Sequence, residues 1–413
     1  MIKYYHYFNM QKNRYFFLAF FLLFANSMKG QTAKDFASYS NQFGIRLYQE
    51  LIKGNPNKNI VFSPLCLSSA LAMPYWGAKG KTAEQFEKAL NLINDGNFQE
   101  KYAVFLKNLE KDSDDSQVKL ANTIWIQKNF TIQDTYQNIL TNTFKSKAQI
   151  VDFEKHKTEA ENKINNWVKE QTKEKILQLI PPNSLPNTTR LVLTNTLYFN
   201  AQWLSTFEEN FTKDDTFFAP NKEIKTAFMH QKEDFLYRES DNFVSIILIF
   251  KELQYMTIII PKESYQLSEI EKLLTPAFYQ SNFAHKIDDL LGEKAAFKST
   301  NILLSLPRFQ MTNVLNMKEP LAQMGLKHAF DIDGEADFSG ITQDVPLVID
   351  EVLHNTVINL NETGVEAASA TAIMFLGRGG GSIELKINRP FLFFISDGNT
   401  GSILFQGRFV NPE

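Results

Sequence analysis

ETGVEAASATAIMFLGRGGGSIELKINRP, from Glu362 to Pro390, is the stretch that decides which fold this chain adopts. From Val365 to Ala372 the side chains are small or β-branched, with Glu366 as the one charge. Gly364 precedes this run and frees the backbone to bend. In a strand, successive side chains alternate between two faces, so Glu366 would lie on one face and leave the other uncharged. This pattern predicts a strand that can enter the middle of a sheet.

The same segment has a second interpretation, because alanine favours helix. A strand from Gly364 to Arg378 would be about 50 Å long, which is long for a single strand. An Ala-rich helix followed by a glycine loop is therefore the alternative. The composition of the segment does not choose between the two, and motifs elsewhere in the chain are needed.

Eight motifs between residues 59 and 412 follow the order found in one known family. They are NIVFSPLCLSSALAM (Asn59 to Met73), GAKGKTAEQFEKAL (Gly77 to Leu90), LANTIWIQKNF (Leu120 to Phe130), INNWVKEQTKEKILQLIPPNSLPNTTRLVLTNTLYFNAQW (Ile164 to Trp203), SLPRFQM (Ser305 to Met311), GLKHAFDIDGEADFSGIT (Gly325 to Thr342), VLHNTVINLNETGVEAASATA (Val352 to Ala372) and RPFLFFISDGNTGSILFQGRFVNP (Arg389 to Pro412). On these motifs the chain resembles the serpins after roughly its first thirty residues. The resemblance implies an α+β fold with three β-sheets, about nine helices and an exposed reactive-centre loop near the C-terminus.

Composition agrees with one large globular domain, which we place at residues 31–413. With 44% hydrophobic residues, 22% charged residues and a net charge of −3, the chain is neither disordered nor a strongly basic nucleic-acid binder. Cys66 is the only cysteine, so an internal disulfide is excluded. We expect a monomer that needs no cofactor or metal and has no nucleic-acid or membrane partner.

Residues 1–30 are predicted to be a secretory signal peptide. Lys3, Lys12 and Arg14 precede an apolar run from Tyr15 to Ala25, and Ala25-Asn26-Ser27 is a candidate cleavage site. The run has eleven residues, fewer than the roughly 20 that a membrane span needs. Cleavage after Gly30 and an uncleaved anchor are the alternatives. We expect a secreted or extracellular protein, periplasmic in a Gram-negative host.

Periodicity predicts a mixture of strands and helices without a βαβ rhythm. Strand alternation occurs in Leu191 to Phe199, Ile302 to Phe309, Thr356 to Leu360 and Ile403 to Val410. Helical spacing occurs in Asp35 to Ile52, Ala83 to Leu92 and Lys157 to Glu170. This mixture is typical of an α+β protein.

Motifs of common enzymes are not found in the sequence. It has no G-x-S-x-G nucleophile elbow and no H-E-x-x-H zinc pair, and GRGGGS (Gly377 to Ser382) lacks the ending of a phosphate loop. His354 lies in a strand pattern beside apolar residues, so a structural role is favoured over a catalytic one. We predict that the protein is not an enzyme and has no catalytic residues.

Two sites that control the sheet are implied by the resemblance. The first, called the shutter in serpins, would contain Ser63, Asn195 and His354, with Cys66 replacing a second helix serine as a weaker hydrogen-bond donor. The second, called the breach, would pair Glu362 with Arg308 near Trp203. A carboxylate–guanidinium pair can be bidentate, whereas an ordinary surface pair is worth under about 1 kcal/mol.

The resemblance also implies how an inhibitory serpin works. A protease attacks the exposed loop and forms an acyl-enzyme, and the cut loop then inserts into the family's sheet A and distorts the protease. The residues that enter first must be small and uncharged, because burying an unpaired charge costs several kcal/mol. The predicted hinge meets this requirement on its inward face. Its residues are Glu362, Gly364, Val365, Glu366, Ala367, Ala368, Ser369, Ala370 and Thr371.

Counting sixteen residues on from Glu362, as the family does, places the reactive bond at Arg378-Gly379. A long planar cation suits the acidic pocket of trypsin-like proteases. An Arg-specific cysteine protease is the alternative target, and cleavage one bond away remains open. A non-inhibitory carrier, a glycosaminoglycan-regulated inhibitor and a hydrolase are the other classes. The helix candidate Phe98 to Lys111 mixes lysines with acids, which indicates a solvated face and not a heparin-type stripe.

Overall fold

The computed structural model describes residues 30–92, 98–292, 295–331, 335–344, 346–365 and 382–413. These residues form ten α-helices and sixteen strands, in agreement with the predicted α+β class and the expected number of helices. No helix among them is long and apolar enough to cross a membrane.

The helices are numbered here in chain order. They are α1 (Gly30–Leu51), α2 (Pro64–Tyr75), α3 (Gly80–Leu90), α4 (Phe98–Leu109), α5 (Asp134–Phe144), α6 (Lys157–Gln171), α7 (Leu267–Leu273), α8 (Pro276–Asn282), α9 (Ile287–Leu291) and α10 (Lys318–Gln323). Every residue of α2 is buried, and Ser63 caps its first turn by accepting a hydrogen bond from the backbone N–H of Cys66 at 3.1 Å. The helix therefore runs through the core, beneath the sheet described next.

Seven strands form the sheet that carries the predicted hinge. They are β2 (Lys111–Asp112), β3 (Ser116–Gln127), β4 (Gln149–Val151), β5 (Leu191–Gln202), β11 (Phe309–Asn316), β12 (Glu351–Asn361) and β13 (Gly364–Val365). Their order is β11-β12-β13-β5-β3-β2, with β4 beside β3. We call this the seven-stranded sheet.

The other nine strands form one continuous hydrogen-bonded sheet. They are β1 (Ile60–Phe62), β6 (Lys213–Ala219), β7 (Lys222–Glu239), β8 (Phe243–Ile249), β9 (Gln254–Pro261), β10 (Lys298–Pro307), β14 (Ile383–Lys386), β15 (Phe391–Asp397) and β16 (Ile403–Phe409). The order is β1-β16-β15-β9-β8-β7-β10-β14, with β6 on β7.

The three sheets implied by the resemblance correspond to these two hydrogen-bonded sheets. Strand β7 is 18 residues long, and it pairs with β6 near its start and with β8 near its end. Because one strand continues from one half of the nine-stranded sheet into the other, hydrogen bonding joins the two halves. Dividing the nine-stranded sheet at β7 gives three sheets in total, as the resemblance implies.

The predicted elements lie within the observed ones, with small differences at their ends. The pattern from Ile302 to Phe309 spans two strands, because the backbone turns at Arg308, whose N–H donates to the carbonyl of Ala227 at 2.9 Å. Helix α6 and β5 begin where the sequence indicated. Helix α6 covers one face of the seven-stranded sheet through a cluster that includes Trp125, Ile164 and Val168.

Candidate functional site

The two-residue strand β13 places the start of the predicted hinge inside the seven-stranded sheet. Val365 lies opposite Ala201 of β5 and Leu360 of β12 in antiparallel register. Its side chain is 1% exposed and packs in the core. Gly364 has φ +151°, and a Cβ there would lie 2.0 Å from the carbonyl oxygen of Ala201, so only glycine fits. The start of the predicted hinge is therefore buried in the sheet.

Between β5 and β12 the seven-stranded sheet is split. At one end, residues Glu351 to Asn355 of β12 pair in parallel with Val192 to Thr196 of β5. At the other end, β13 lies between the two strands. Among the described strands, Leu197 to Asn200 of β5 and Thr356 to Asn359 of β12 pair with β3 and β11 but not with each other. This interval has the position that a further strand would occupy.

The side chain of Asn361 fixes the turn between β12 and β13. Its Oδ1 accepts hydrogen bonds from the backbone N–H groups of Thr363 and Gly364, at 3.0 and 3.1 Å, and from the Thr363 hydroxyl at 2.8 Å. An Asn side chain that binds the backbone two residues on is a standard turn former. The sequence patterns did not single out Asn361, so its role in the turn was missed.

At the predicted breach, the structure brings Glu362, Arg308 and Trp203 together. The Glu362 side chain is 5% exposed, and Arg308 Nη1 lies 3.5 Å from its Oε1. This distance is longer than the 2.7–2.9 Å of a bidentate fork. The short contact is instead from the Thr212 hydroxyl, which donates to the same oxygen at 2.7 Å. Thr212 was not predicted, and it is the closer partner of the carboxylate.

Trp203 binds the backbone on both sides of Glu362. Its indole N–H donates to the carbonyl of Asn361 at 3.0 Å, and its backbone N–H donates to the carbonyl of Thr363 at 2.8 Å. The indole stacks on Phe250, with the ring centroids 4.2 Å apart. The tryptophan therefore fixes the turn between β12 and β13 to the core.

At the predicted shutter, His354 hydrogen-bonds to both neighbouring elements. Its Nε2 accepts the backbone N–H of Ser63 at 2.9 Å and lies 2.9 Å from the hydroxyl of Thr356. Because Nε2 accepts, Nδ1 carries the proton and donates to Oδ1 of Asn195. Burial lowers the pKa of His354 to about 3, so the ring is neutral. Ser63 contributes its backbone and not the hydroxyl that the resemblance suggested, because that hydroxyl caps α2.

Cys66 is the second donor to Asn195. Burial raises the pKa of its thiol, so the sulfur keeps its proton and donates to Oδ1 of Asn195 at 3.4 Å. The Asn195 amide donates in turn to the carbonyl of Leu353 at 3.3 Å. These bonds join α2, β5 and β12 at the end of the split, where the two strands begin to pair directly.

Several predicted residues lie outside the described part of the chain. They are the hinge residues Glu366, Ala367, Ala368, Ser369, Ala370 and Thr371, the reactive bond Arg378-Gly379, and the predicted signal peptide up to residue 29. Among the residues that the structure does describe, no three His, Cys, Asp or Glu side chains are grouped so as to hold a metal ion.

Comparison with known sequences identifies the class of protein that this fold defines. The family model for "Serpin (serine protease inhibitor)" matches residues 38–412. A serpin-like protein of Thermococcus kodakarensis is 35% identical over 380 residues, covering 90% of this chain and 85% of the relative. A serine protease inhibitor of Cyanea capillata is 33% identical over 389 residues, covering 91% of this chain and 98% of the relative.

Solved structures agree with this match. Serpin48, a highly specific serpin of the insect Tenebrio molitor, has a TM-score of 0.80 at 28% identity, covering 92% of this chain and 98% of its own. Human thyroxine-binding globulin, solved in complex with thyroxine, has a TM-score of 0.82 at 26% identity, covering 92% of this chain and 99% of its own. The chain belongs to the serpin family, which consists of protease inhibitors and not enzymes, and which forms complexes with target proteases, although some members are non-inhibitory.

Proposed function

We propose that this serpin is a secreted suicide inhibitor of proteases that is cut at Arg378-Gly379. The observation that supports this proposal is the split sheet, with Val365 already seated at one end of the opening. The first residues after Val365 have a strand position available in the unpaired interval, whereas further insertion must separate β5 from β12 where they pair. The basic and apolar segment at the N-terminus supports export.

The register of β13 defines what insertion would bury. Continued from Val365, the strand would place residue 367 opposite Phe199 and Ile358, and residue 371 opposite Asn195 and His354. The side chains that share the inward face with Val365 are Ala367, Ser369 and Thr371, all small and uncharged. Glu366 would lie on the outward face, so insertion buries no charge among Phe199, Ile358 and the rest of the core.

Insertion in this register also opens the shutter. Residue 371 would arrive between Asn195 and His354, whose side chains hydrogen-bond in the resting state. The Thr371 hydroxyl can both donate and accept, so it can replace the bond that it breaks. The shutter would therefore keep β5 and β12 paired until the loop reaches it. Opening it would then cost little free energy, because Thr371 replaces the broken hydrogen bond.

The trap itself is an acyl-enzyme that does not hydrolyse. The nucleophile of the protease attacks the carbonyl carbon of Arg378, the bond to Gly379 breaks, and the proton of the nucleophile goes to the released amine. The Arg378 carbonyl is then an ester on a serine protease or a thioester on a cysteine protease. A trypsin-like serine protease is the primary target that we propose, because its acidic pocket suits arginine.

A carrier function is the second candidate, favoured by the likeness to thyroxine-binding globulin. Fold similarity does not separate the two candidates, because the TM-scores to Serpin48 and to the globulin are 0.80 and 0.82. The hinge favours inhibition, since Val365 and the residues that follow it on the inward face present no charge to the sheet. A ligand that raises the melting temperature of the protein would support the carrier.

Incubation of the mature protein with trypsin tests the proposal. Denaturing gel electrophoresis detects a covalent complex, and mass spectrometry of the released C-terminal peptide identifies the bond that is cut. A stable complex with a peptide that begins at Gly379 would support inhibition at the Arg bait. Cleavage at that bond without a complex would contradict inhibition of trypsin by this serpin.

A further inference from the structure

The chain makes an unfavourable turn directly after α6. Lys173 and Glu174 have φ values of +47° and +64°, in the left-handed region that side chains other than glycine rarely adopt. Thr172 secures the preceding turn, because its hydroxyl donates to the carbonyl of Val168 at 2.8 Å and accepts the N–H of Ile176 at 3.2 Å. A strained conformation that the surrounding structure holds in place is a reason to look for a role.

The turn directs Lys173 onto the seven-stranded sheet. Its ammonium group lies 4.6 Å from the centroid of the Tyr198 ring, a cation–π contact. It also donates to Oε1 of Gln117 at 2.5 Å. Gln117 is on β3 and Tyr198 on β5, so Lys173 connects the end of α6 to two neighbouring strands.

Tyr198 lies in the part of β5 that does not pair with β12. The unpaired interval runs from Leu197 to Asn200. Tyr198 shares its face of β5 with Val192, which packs beneath α6. Lys173 therefore contacts the sheet on the face that α6 covers, beside the opening between β5 and β12.

We propose that Lys173 is a latch that keeps the segment after α6 seated on β3 and β5, beside the opening, and that its release from Tyr198 accompanies opening of the sheet. A strand that extends past Tyr198 must separate β5 from β12 where they pair, at Val192 to Thr196 and Glu351 to Asn355, and the segment that rests on β5 must move with that strand. The strained turn holds the lysine in position while its contacts to Tyr198 and Gln117 last. The role of the latch in inhibition rests on the proposed function, whereas its effect on opening in the free protein does not.

Lys173→Met removes the charge and keeps the length of the side chain, and Lys173→Arg keeps the cation over the ring. Lys155→Met is the matched control, because it removes one exposed lysine just before the start of α6. Tyr198→Leu breaks the same contact from the sheet side, whereas Tyr198→Phe preserves the ring. The Tyr198 pair keeps the proposal testable if Lys173→Met does not fold.

The first measurement is native-state hydrogen exchange of the free protein, followed at residues 172–176 and 197–200, with β15 and β16 as the internal reference for global stability. We expect Lys173→Met and Tyr198→Leu to raise exchange at both segments at least fivefold relative to the reference, and Lys173→Arg, Tyr198→Phe and Lys155→Met to leave it unchanged. Equal exchange in Lys173→Met and Lys155→Met would overturn the latch.

The second measurement is the rate of complex formation with trypsin, which we expect to rise in Lys173→Met and to stay unchanged in Lys155→Met. If the wild-type protein forms no complex, the proposed function fails for trypsin while the exchange experiment still decides the latch. If complexes form at the same rate in wild type, Lys173→Met and Lys155→Met, the role of the latch in inhibition is rejected.

Discussion

Val365 lies directly opposite Ala201 in the seven-stranded sheet, with 1% of its side chain exposed. The proposed insertion would therefore start from a residue that already lies between β5 and β12. The side chain of Val365 is already in the core, and in the proposed insertion each further residue would add one rung of the same antiparallel ladder. The chemistry of Val365 and of the residues that share its face should therefore decide whether insertion proceeds.

A charge at position 365 should convert the inhibitor into a substrate. Position 365 is already buried, so in Val365→Arg the unpaired guanidinium would hold the start of the hinge out of the sheet, because burying it costs several kcal/mol, and the proposed insertion would lose its starting point. We expect trypsin to cleave this variant at Arg378 without forming a gel-stable complex. Val365→Thr, similar in shape and uncharged, is the control and should still form complexes. Equal stoichiometry of inhibition in wild type and Val365→Arg would show that the insertion argument is wrong.

Arg378→Ala should abolish inhibition of trypsin-like enzymes and leave the fold intact. Alanine cannot pair with the acidic group in the primary pocket of such an enzyme, so the protease would no longer recognise this bond. Arg378→Lys should retain inhibition, because it keeps the positive charge. The measurement is the second-order rate of inhibition, with the melting temperature as the check on folding. Unchanged inhibition by the alanine variant would place the bait at another residue.

The sequence predicted the strands and helices well where a pattern repeats over many residues, as in β5 and α6. It also identified His354, Asn195, Arg308 and Glu362 as residues that meet, because the family motifs carry those positions. It could not show that Thr212 is closer to Glu362 than Arg308 is, since this depends on how the chain turns between β5 and β6. The same limit explains why the backbone of Ser63, and not its hydroxyl, binds His354.

Loss of the Thr212 hydroxyl should destabilise the protein more than loss of the Arg308 charge. Thr212 donates to Oε1 of Glu362 at 2.7 Å, and a hydrogen bond to a charged group is worth about 1.5–3 kcal/mol. Arg308 is 52% exposed and 3.5 Å away, so solvent screening reduces its contribution to about 1 kcal/mol or less. Urea unfolding of Thr212→Val and Arg308→Met measures both. A larger loss of stability in Arg308→Met than in Thr212→Val would show that the ion pair is the main contact of the breach.

Acid should destabilise the native state through His354. The pKa of His354 is lowered to about 3 in the folded protein by burial, against about 6.5 in an unfolded chain. Between these two values the unfolded state binds a proton that the native state does not, so the free energy of unfolding falls as the pH falls. This histidine does not lower the free energy of unfolding well above pH 6.5. Near pH 5 it lowers that free energy by about 2 kcal/mol.

Protonation of His354 would also break the shutter, because Nε2 could no longer accept the N–H of Ser63. The measurement is urea unfolding between pH 7.5 and 4.5 for the wild type, for His354→Gln and for His156→Gln, which removes an exposed histidine. We expect the slope of stability against pH to flatten in His354→Gln and to stay the same in His156→Gln. Equal slopes in all three proteins would show that His354 is not the group that couples stability to pH in this range.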